Sequence, residues 1–264
     1  MKIIIQAAGY GTRLLKELKT LADNPLASVT KTGLGVAKAL IPIQGKPIIQ
    51  HQIEQLTKAE VPLNDIFIVT NKIFFPLFLS WAKKNGFPIE NIINNGSSSN
   101  DQRLGSNRDI LLVIKQKQLA DDHDLLILAG DTLYPKLDLK KFLEGCQNVE
   151  TGVISYYFEP DREIMKKRGN LIIKNQQLID FVEKPLEAVS QFAFPSLNFL
   201  KAPAAKLLPN FLKEVPDLKI NDGHGFFLQW LLKRGFKLKA LQIPGRFDLG
   251  SIRDLKRANQ EYQP

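Results

Sequence analysis

Apolar residues form two kinds of pattern that alternate along the chain. Short runs rich in Ile, Val and Leu, such as Ile3–Ile5, are typical of buried strands, and apolar residues at helical spacing, as between Pro47 and Ala59, are typical of helices. The patterns predict strands over 3–5, 65–70, 125–129, 152–157, 171–174, 177–182 and 236–243, and helices over 47–59, 74–84, 138–144 and 226–233.

This order of elements predicts an α/β fold of Rossmann-like type, in which helices flank an open, twisted sheet that is mixed but mostly parallel. We expect a single domain over 1–264. The sequence contains no internal repeat. It also has no hexapeptide periodicity near its C-terminal end, so no appended β-helix is predicted. Residues 16–37 lack a clear period and are predicted to form a long loop or lid insertion.

The composition is that of an ordinary globular protein, because 44% of the 264 residues are hydrophobic and 24% are charged. It excludes a disordered, collagen-like or coiled-coil chain. The single cysteine, Cys146, excludes an intramolecular disulfide, and a reducing cytoplasm is the expected location. No apolar run has the length of a signal peptide or a membrane helix, so a membrane is not expected as a partner.

Basic residues outnumber acidic ones by 36 to 27, which gives a formal net charge of +9. Such an excess is compatible with nucleic acid, an anionic membrane surface or small anionic substrates as partners. The densest cluster is Lys166, Lys167 and Arg168, and the sequence contains no basic arm. Because the other basic residues are scattered, we expect most of them on solvated faces, and no nucleic acid partner is predicted.

The first predicted strand leads into a turn that contains Gly9 and Gly11 and is followed by Arg13. Glycines allow a positive φ and close approach of the backbone, so N–H groups in such a turn can bind phosphate oxygens and Arg13 can add a bidentate contact. The third glycine of a dinucleotide-binding fingerprint is missing, and so is the Gly-Lys-Ser/Thr of a Walker loop. On these residues alone, a plain β-turn is as good an interpretation.

Two aspartates lie close to glycines in the sequence, and the first of them follows a predicted strand. Asp131 follows Gly130 directly after the run 125–129, and Asp248 precedes Leu249–Gly250. Two separated aspartates suit Mg²⁺, which binds few protein carboxylates and completes its shell with phosphate and water. The alternative for Asp131 is a helix cap or turn residue.

Five motifs in this order resemble those of the sugar-1-phosphate nucleotidyltransferase family, which includes glucose-1-phosphate thymidylyltransferases and uridylyltransferases. The resemblance covers residues 1 to about 259, and its most specific part is the turn at 7–14. The other motifs are Lys38 with Pro42 and Gly45–Pro47, then Gly130–Asp131, Glu183–Pro185 and Asp248–Gly250.

The resemblance implies a fold of the nucleotide-diphospho-sugar transferase type. It also implies a reaction in which an NTP and a sugar 1-phosphate give an NDP-sugar and pyrophosphate. TTP or UTP is the favoured nucleotide, and Mg²⁺ is the implied cofactor. The nucleotide-binding part would be about 1–135 and the sugar-phosphate-binding part about 136–264, while the oligomeric state is left open.

The same resemblance assigns roles to individual residues. The nucleotide would be bound by Ala8, Gly9, Gly11, Thr12 and Arg13, with Gly105 at the base. Arg13 and Lys38 would neutralise charge at the phosphates and are the predicted catalytic residues. Asp131 and Asp248 would bind Mg²⁺. The acceptor would be held by Glu183, Lys184 and Gly169, the last being part of an Arg-aromatic-Gly motif that lacks its aromatic residue here.

The nucleophile of this reaction is an already ionised phosphate, so positioning and charge neutralisation can carry catalysis without a general base. The histidines at 51, 123 and 224 are therefore expected to be structural or surface residues.

One departure from the family pattern leaves the acceptor open, because Pro195–Ser196 replaces the Thr-Gly pair that lines the sugar pocket. A cytidylyltransferase for a small phosphate such as phosphocholine is the first alternative. The second is a catalytically silent, nucleotide-sensing regulatory subunit. The joint presence of Arg13, Lys38, Asp131, Lys184 and Asp248 argues against the second, since a binding-only protein need not keep all of these charges.

Overall fold

The computed structural model describes residues 1–20, 26–30, 33–119, 123–218 and 222–264. The chain divides into two compact units, each assembled from separate stretches of sequence. Unit 1 contains residues 1–3, 104–128 and 137–245, and unit 2 contains residues 4–103, 129–136 and 246–264. The functional division near residue 135 stays a prediction. Residues 21–25 and 31–32 of the predicted loop at 16–37 lie outside the described residues.

Unit 2 contains the carboxyl end of the first strand, together with strands and helices from residues 4–103, 129–136 and 246–264. Its strands are β1 (Lys2–Gln6, which begins in unit 1), β2 (Pro42–Ile43), β3 (Lys46–Pro47), β4 (Ile66–Thr70), β5 (Ile92–Asn94), β7 (Thr132–Leu133) and β14 (Phe247–Asp248). Its helices are α1 (Thr12–Leu18), α2 (Ile48–Lys58), α3 (Phe75–Asn85) and α10 (Ile252–Glu261).

The strands β1, β4 and β5 lie side by side in that order, and β4 is parallel to β5. Every residue of β4 is buried, as expected of a parallel strand that is covered on both faces. The apolar residues that predicted α2 are all buried in the structure: Ile48, Ile49, Ile53 and Leu56.

Unit 1 contains most of the remaining strands. They are β6 (Leu125–Ala129, whose last residue belongs to unit 2), β8 (Gly152–Phe158), β9 (Gly169–Lys174), β10 (Gln177–Glu183), β11 (Phe192–Ala193), β12 (Leu197–Leu200) and β13 (Leu238–Gln242). The helices are α4 (Ser106–Gln116), α5 (Leu139–Gly145), α6 (Arg162–Met165), α7 (Ala202–Ala205), α8 (Leu208–Glu214) and α9 (His224–Lys233).

The predicted α/β class and the mixed sheet are confirmed, but the expectation of mostly parallel strands is wrong for unit 1. Its strand order is β11–β9–β10–β13–β8–β12–β6. β13 is parallel to β8, whereas β9–β10, β10–β13, β8–β12 and β6–β12 are antiparallel. β11 pairs with both β9 and β8, so these strands and those between them are linked in a ring rather than in an open row.

The turn between β9 and β10 explains one of these antiparallel pairings. Asn175 and Gln176 have φ values of +49° and +58°. Two consecutive left-handed residues form the tight connection whose twist matches a hairpin. The chain therefore returns beside itself at this point instead of crossing over through a helix.

Several elements were not predicted, and the longest of them is α4. Its residues Ile110, Val113 and Ile114 are buried and have helical spacing, so the signal was present. Residues 16–18 belong to α1, and the prediction of a loop is wrong for them.

Among the described residues, no helix combines the length and apolar character needed to cross a membrane.

Candidate functional site

The turn between β1 and α1 is built around two glycines with different surroundings. Gly11 has a φ of +59°, and a Cβ there would lie 2.8 Å from the carbonyl oxygen of Val36. Gly9 is exposed, and no heavy atom lies within 4 Å of the position of its missing Cβ. Gly11 is therefore required by the backbone, whereas Gly9 leaves open space beside the turn.

The segment that follows Gly33 is held against this turn. The backbone N–H of Val36 donates to the carbonyl oxygen of Tyr10 over 2.8 Å. A Cβ on Gly35 would collide with the same oxygen. The segment reaches a 3-10 turn, Lys38–Leu40, and so brings the side chain of Lys38 to the glycine turn.

A cavity of about 200 Å³ opens beside the turn, and four of the predicted residues line it: Gly9, Gly11, Lys38 and Asp131. Gln6, Ala7 and Ala39 also line it and were not predicted as site residues. The position of Gln6 at the carboxyl end of β1 was the available signal, because ligands of α/β sheets bind beyond such ends.

Lys38 and Asp131 form an ion pair in this cavity, with Nζ 2.8 Å from Oδ2. The side chains are 16% and 36% exposed, respectively. The negative charge of Asp131 raises the pKa of Lys38, against the opposing effect of burial. Asp248 also raises this pKa and the charge of Arg13 lowers it, so the other three predicted charged residues of unit 2 all act on Lys38.

A short ladder places Asp248 next to Asp131. β14 pairs with β7 in antiparallel register, with Asp248 opposite Thr132. The side chain of Asp248 accepts a hydrogen bond of 3.1 Å from Nη2 of Arg246, which is only 7% exposed. Arg246 was missed by the sequence interpretation, although a basic residue two positions before a predicted metal ligand was a visible signal.

The donor chemistry of Asp131 and Asp248 fits Mg²⁺. Both offer hard carboxylate oxygens from adjacent strand ends, and Mg²⁺ needs only one or two such ligands when phosphate is bound as well. No group of three or more His, Cys, Asp or Glu suited to a metal occurs in the part of the chain that the structure describes. Each of the two aspartates is paired with a basic side chain in this structure.

The remaining predicted nucleotide residues of unit 2 lie along the same turn. Ala8 is buried, and its carbonyl oxygen accepts a hydrogen bond of 3.0 Å from Nδ2 of Asn71. Thr12 begins α1, and Arg13 is exposed on its first turn.

Unit 1 holds the predicted acceptor residues together. Glu183 ends β10, and its Oε1 lies 3.6 Å from Nζ of Lys184. The Lys184 side chain is 66% exposed, whereas that of Glu183 is 13% exposed. A Cβ on Gly169 would lie 3.0 Å from Oε2 of Glu183, so the strand β9 passes directly beside this carboxylate.

Two further glycines border the Glu183 carboxylate and were not predicted. The Cβ position of Gly225 is 3.1 Å from Oε2, and that of Gly223 is 3.9 Å from Oε1. A weak signal was present, since Asp222–Gly225 contains two glycines within four residues.

Gly105 also belongs to unit 1 and precedes α4 with a φ of +86°. A Cβ there would lie 2.6 Å from Cδ1 of Leu218 and 3.2 Å from Oδ1 of Asp222. The backbone angle therefore strongly favours glycine, and any other residue would also require the side chain of Leu218 to move.

The departure at Pro195–Ser196 has a structural counterpart. Ser196 has a φ of +61°, a left-handed conformation that glycine adopts without cost and other residues rarely do. Ser196 directly precedes β12, where the family pattern has glycine.

The structural role expected of the histidines is confirmed for His51 and His224, which are both buried. Nε2 of His51 lies 3.0 Å from the carbonyl oxygen of Ile43. Nδ1 of His224 lies 2.8 Å from Oδ1 of Asn107, and burial lowers the pKa of His224 to about 3.

Comparison with known proteins gives several relatives that are named mannose-1-phosphate guanyltransferases. A Sulfolobus acidocaldarius protein assigned as a mannose-1-phosphate guanyltransferase is 27% identical over 98% of this chain and 62% of its own length. The mannose-1-phosphate guanyltransferase of Schizosaccharomyces pombe is 31% identical over 72% of this chain and 47% of its own. The chain thus spans about half to three fifths of the length of these relatives.

Solved structures share the fold. A Bacillus anthracis protein assigned as a glucose-1-phosphate thymidylyltransferase, in complex with sucrose, has a TM-score of 0.75 at 22% identity and covers 98% of this chain and 94% of its own. The inositol-1-phosphate CTP transferase of T. maritima has a TM-score of 0.68 at 15% identity, covering 100% and 97%. The sequence profile of the nucleotidyl transferase family matches residues 2–264, and the chain belongs to that family.

Proposed function

We propose that the protein is a Mg²⁺-dependent sugar-1-phosphate nucleotidyltransferase. The observation that carries this proposal is the ion pair of Lys38 and Asp131 beside the open glycine turn, with Arg13 and Asp248 close enough to act on the charge of Lys38. Mannose-1-phosphate guanyltransferases among the relatives support a sugar 1-phosphate as acceptor. The resemblance of the sequence favours TTP or UTP as the nucleotide, whereas the names of these relatives indicate GTP.

In the proposed reaction an oxygen of the sugar phosphate attacks the α-phosphorus of the NTP. A new P–O bond forms as the bond from the α-phosphorus to the bridging oxygen breaks, and pyrophosphate leaves with that oxygen and its electron pair. No proton needs to be removed from the nucleophile. Catalysis is then a matter of holding two anions in line and neutralising charge.

The residues of unit 2 would bind the nucleotide. Backbone N–H groups at Gly9 to Thr12 would contact the phosphates, and Arg13 and Lys38 would supply positive charge to the α-phosphate and the leaving pyrophosphate. Asp131 and Asp248 would hold Mg²⁺, which would offset phosphate charge at that place. Lys38 now pairs with Asp131, so its ammonium would exchange one anionic partner for another.

The residues of unit 1 would bind the acceptor. Lys184 is exposed and able to contact the sugar phosphate, while Glu183 offers a carboxylate to a sugar hydroxyl. Gly105 would lie against the base.

A second candidate is a cytidylyltransferase for a non-sugar phosphate. The presence of Pro195–Ser196 at the place of the family's Thr-Gly pair favours a changed acceptor pocket. The fold shared with an inositol-1-phosphate CTP transferase is compatible with this candidate.

The test is pyrophosphate release from every pairing of ATP, GTP, CTP, UTP or TTP with glucose 1-phosphate, mannose 1-phosphate, inositol 1-phosphate or phosphocholine. We expect turnover with a hexose 1-phosphate that is abolished by EDTA and by Asp131→Asn. The variant Glu144→Gln, which changes an exposed carboxylate on α5, is the matched control and should behave as wild type. Turnover only with phosphocholine or inositol 1-phosphate would support the second candidate. NTP binding without any turnover would favour the regulatory alternative.

A further inference from the structure

The four residues Asp222–Gly225, which we call the glycine segment, connect two parts of unit 1 that the proposed function assigns to different substrates. At its first residue, the carbonyl oxygen of Asp222 accepts a hydrogen bond of 2.9 Å from the backbone N–H of Ser106. The Asp222 side chain lies beside Gly105, with Oδ1 3.2 Å from the Cβ position. One end of the segment is therefore fixed at the predicted base contact.

The other end of the segment lies against the predicted acceptor carboxylate. The Cβ positions of Gly223 and Gly225 are 3.9 Å and 3.1 Å from the carboxylate oxygens of Glu183. A Cβ on Gly225 would also collide with the ring of Phe181, which is fully buried. Because they lack a Cβ, the two glycines leave room for the Glu183 carboxylate beside the backbone.

Asn107 fixes the middle of the segment with both ends of its amide. Nδ2 donates to the carbonyl oxygen of Gly223 over 3.0 Å, and Oδ1 lies 2.8 Å from Nδ1 of His224. Because the amide nitrogen faces the carbonyl, the oxygen must accept from the histidine, and this places the His224 proton on Nδ1. The amide and the ring are both buried, so water does not compete for these hydrogen bonds and each bond keeps a single donor-to-acceptor direction.

His224 is held neutral at this place. Burial lowers its pKa to about 3, and its Nε2 is buried without a hydrogen-bond partner among the described residues. A neutral ring with the proton on Nδ1 keeps the bond to Asn107 throughout the physiological pH range.

We propose that Asn107 and His224 are positioning residues that couple the two substrates through the glycine segment. Nucleotide bound at Gly105 would fix the segment from its Asp222 end, and the fixed segment would hold the Glu183 carboxylate in the orientation that binds the acceptor. This inference rests on the proposed function. It adds that each substrate binds more tightly when the other is present, by the same factor in both directions.

The test measures binding of the acceptor that wild type turns over, by calorimetry with and without the α,β-methylene analogue of the matching NTP. We expect the analogue to tighten acceptor binding in wild type by about fivefold or more, the lower range of measured couplings. In Asn107→Ala this ratio should fall close to one. Asn107→Asp, which keeps the shape of the side chain and an acceptor for His224 but cannot donate to Gly223, should lose the coupling as well.

The matched control is Asn91→Ala, which removes another buried asparagine whose Nδ2 donates to a backbone carbonyl, that of Asn64, in unit 2. It should lower the melting temperature and leave the ratio unchanged. A wild-type ratio near one, or a ratio kept by both Asn107 variants, would overturn the inference. Failure of the proposed function is a separate outcome, since it shows as the lack of turnover with any substrate pair in wild type.

Discussion

Nζ of Lys38 lies 2.8 Å from Oδ2 of Asp131, so the predicted phosphate-binding cation and a predicted metal ligand form one ion pair. The ion pair makes the stability of the fold depend on pH, since Asp131 raises the pKa of Lys38 above its ordinary value of 10.5. The folded chain holds this proton more tightly than the unfolded chain. The resulting stabilisation is complete below about pH 10.5 and is lost as the pH rises through the folded pKa.

We therefore expect the free energy of unfolding of wild type to fall more steeply above about pH 10.5 than that of Lys38→Met. Urea titrations of both proteins at pH 9.5 and pH 11.5 measure the difference. Comparison with Lys38→Met removes the contributions of other groups that titrate in this range. Equal losses in the two proteins would contradict the assigned pKa shift.

Gly9 and Gly11 provide a matched pair of substitutions in one turn. Gly11→Ala should lower the free energy of unfolding by at least about 1–2 kcal/mol, because its φ of +59° is unfavourable for alanine and its Cβ would press on Val36. Gly9→Ala should keep wild-type stability, since its Cβ meets open space, but should weaken NTP binding if phosphates approach this backbone. Urea unfolding and NTP calorimetry separate the two effects. Wild-type NTP affinity in Gly9→Ala would remove Gly9 from the site.

His224 makes stability depend on pH in the acidic range. Its pKa falls from 6.5 to about 3 on folding, so the unfolded chain binds a proton that the folded chain excludes. The stabilisation is present above about pH 6.5 and decreases by about 1.4 kcal/mol for each pH unit below that, until the folded pKa is reached. His224→Gln should lose less stability than wild type between pH 7 and pH 4.5 in urea titrations. Parallel curves for the two proteins would show that His224 is solvated.

Cys146 should be unreactive in the folded protein. It is 4% exposed, and burial raises the pKa of its thiol to about 12, so little thiolate is present at neutral pH. Labelling with a chromogenic disulfide reagent at pH 8 should be negligible for the native protein and should reach one thiol per chain in urea. Rapid labelling without urea would mean that the segment after α5 opens easily.

The elements with strong local signals were predictable from the sequence. The helix expected over 74–84 is present as Phe75–Asn85, and the continuous apolar run 125–129 is the strand β6. The strand β12 was missed because Asn198, a fully buried polar residue, interrupts its apolar pattern. Strand direction could not be predicted for unit 1, since an antiparallel strand such as β12 is buried at every residue there, as a parallel strand would be.

The residues of the candidate site were likewise predictable from the sequence only in part. The glycine turn and the aspartates were visible as motifs, but strands of two residues such as β7 and β14 have no period by which to recognise their pairing. The partner of His224 was equally invisible. The bond from His224 to Asn107 spans 117 positions, and no local pattern indicates a contact at that distance.

The last stretch of the chain has a consequence for the order in which the protein can be made. Residues 246–264 belong to unit 2, where Gln44 donates to Oδ1 of Asn259 and to the carbonyl oxygen of Tyr262 over 2.7 Å each. Residues 246–264 are synthesised after the other parts of unit 2, so β14 can pair with β7 only after those parts have been made. A nascent chain would thus contain the glycine turn and Lys38 before it contains Asp248, the second predicted metal carboxylate.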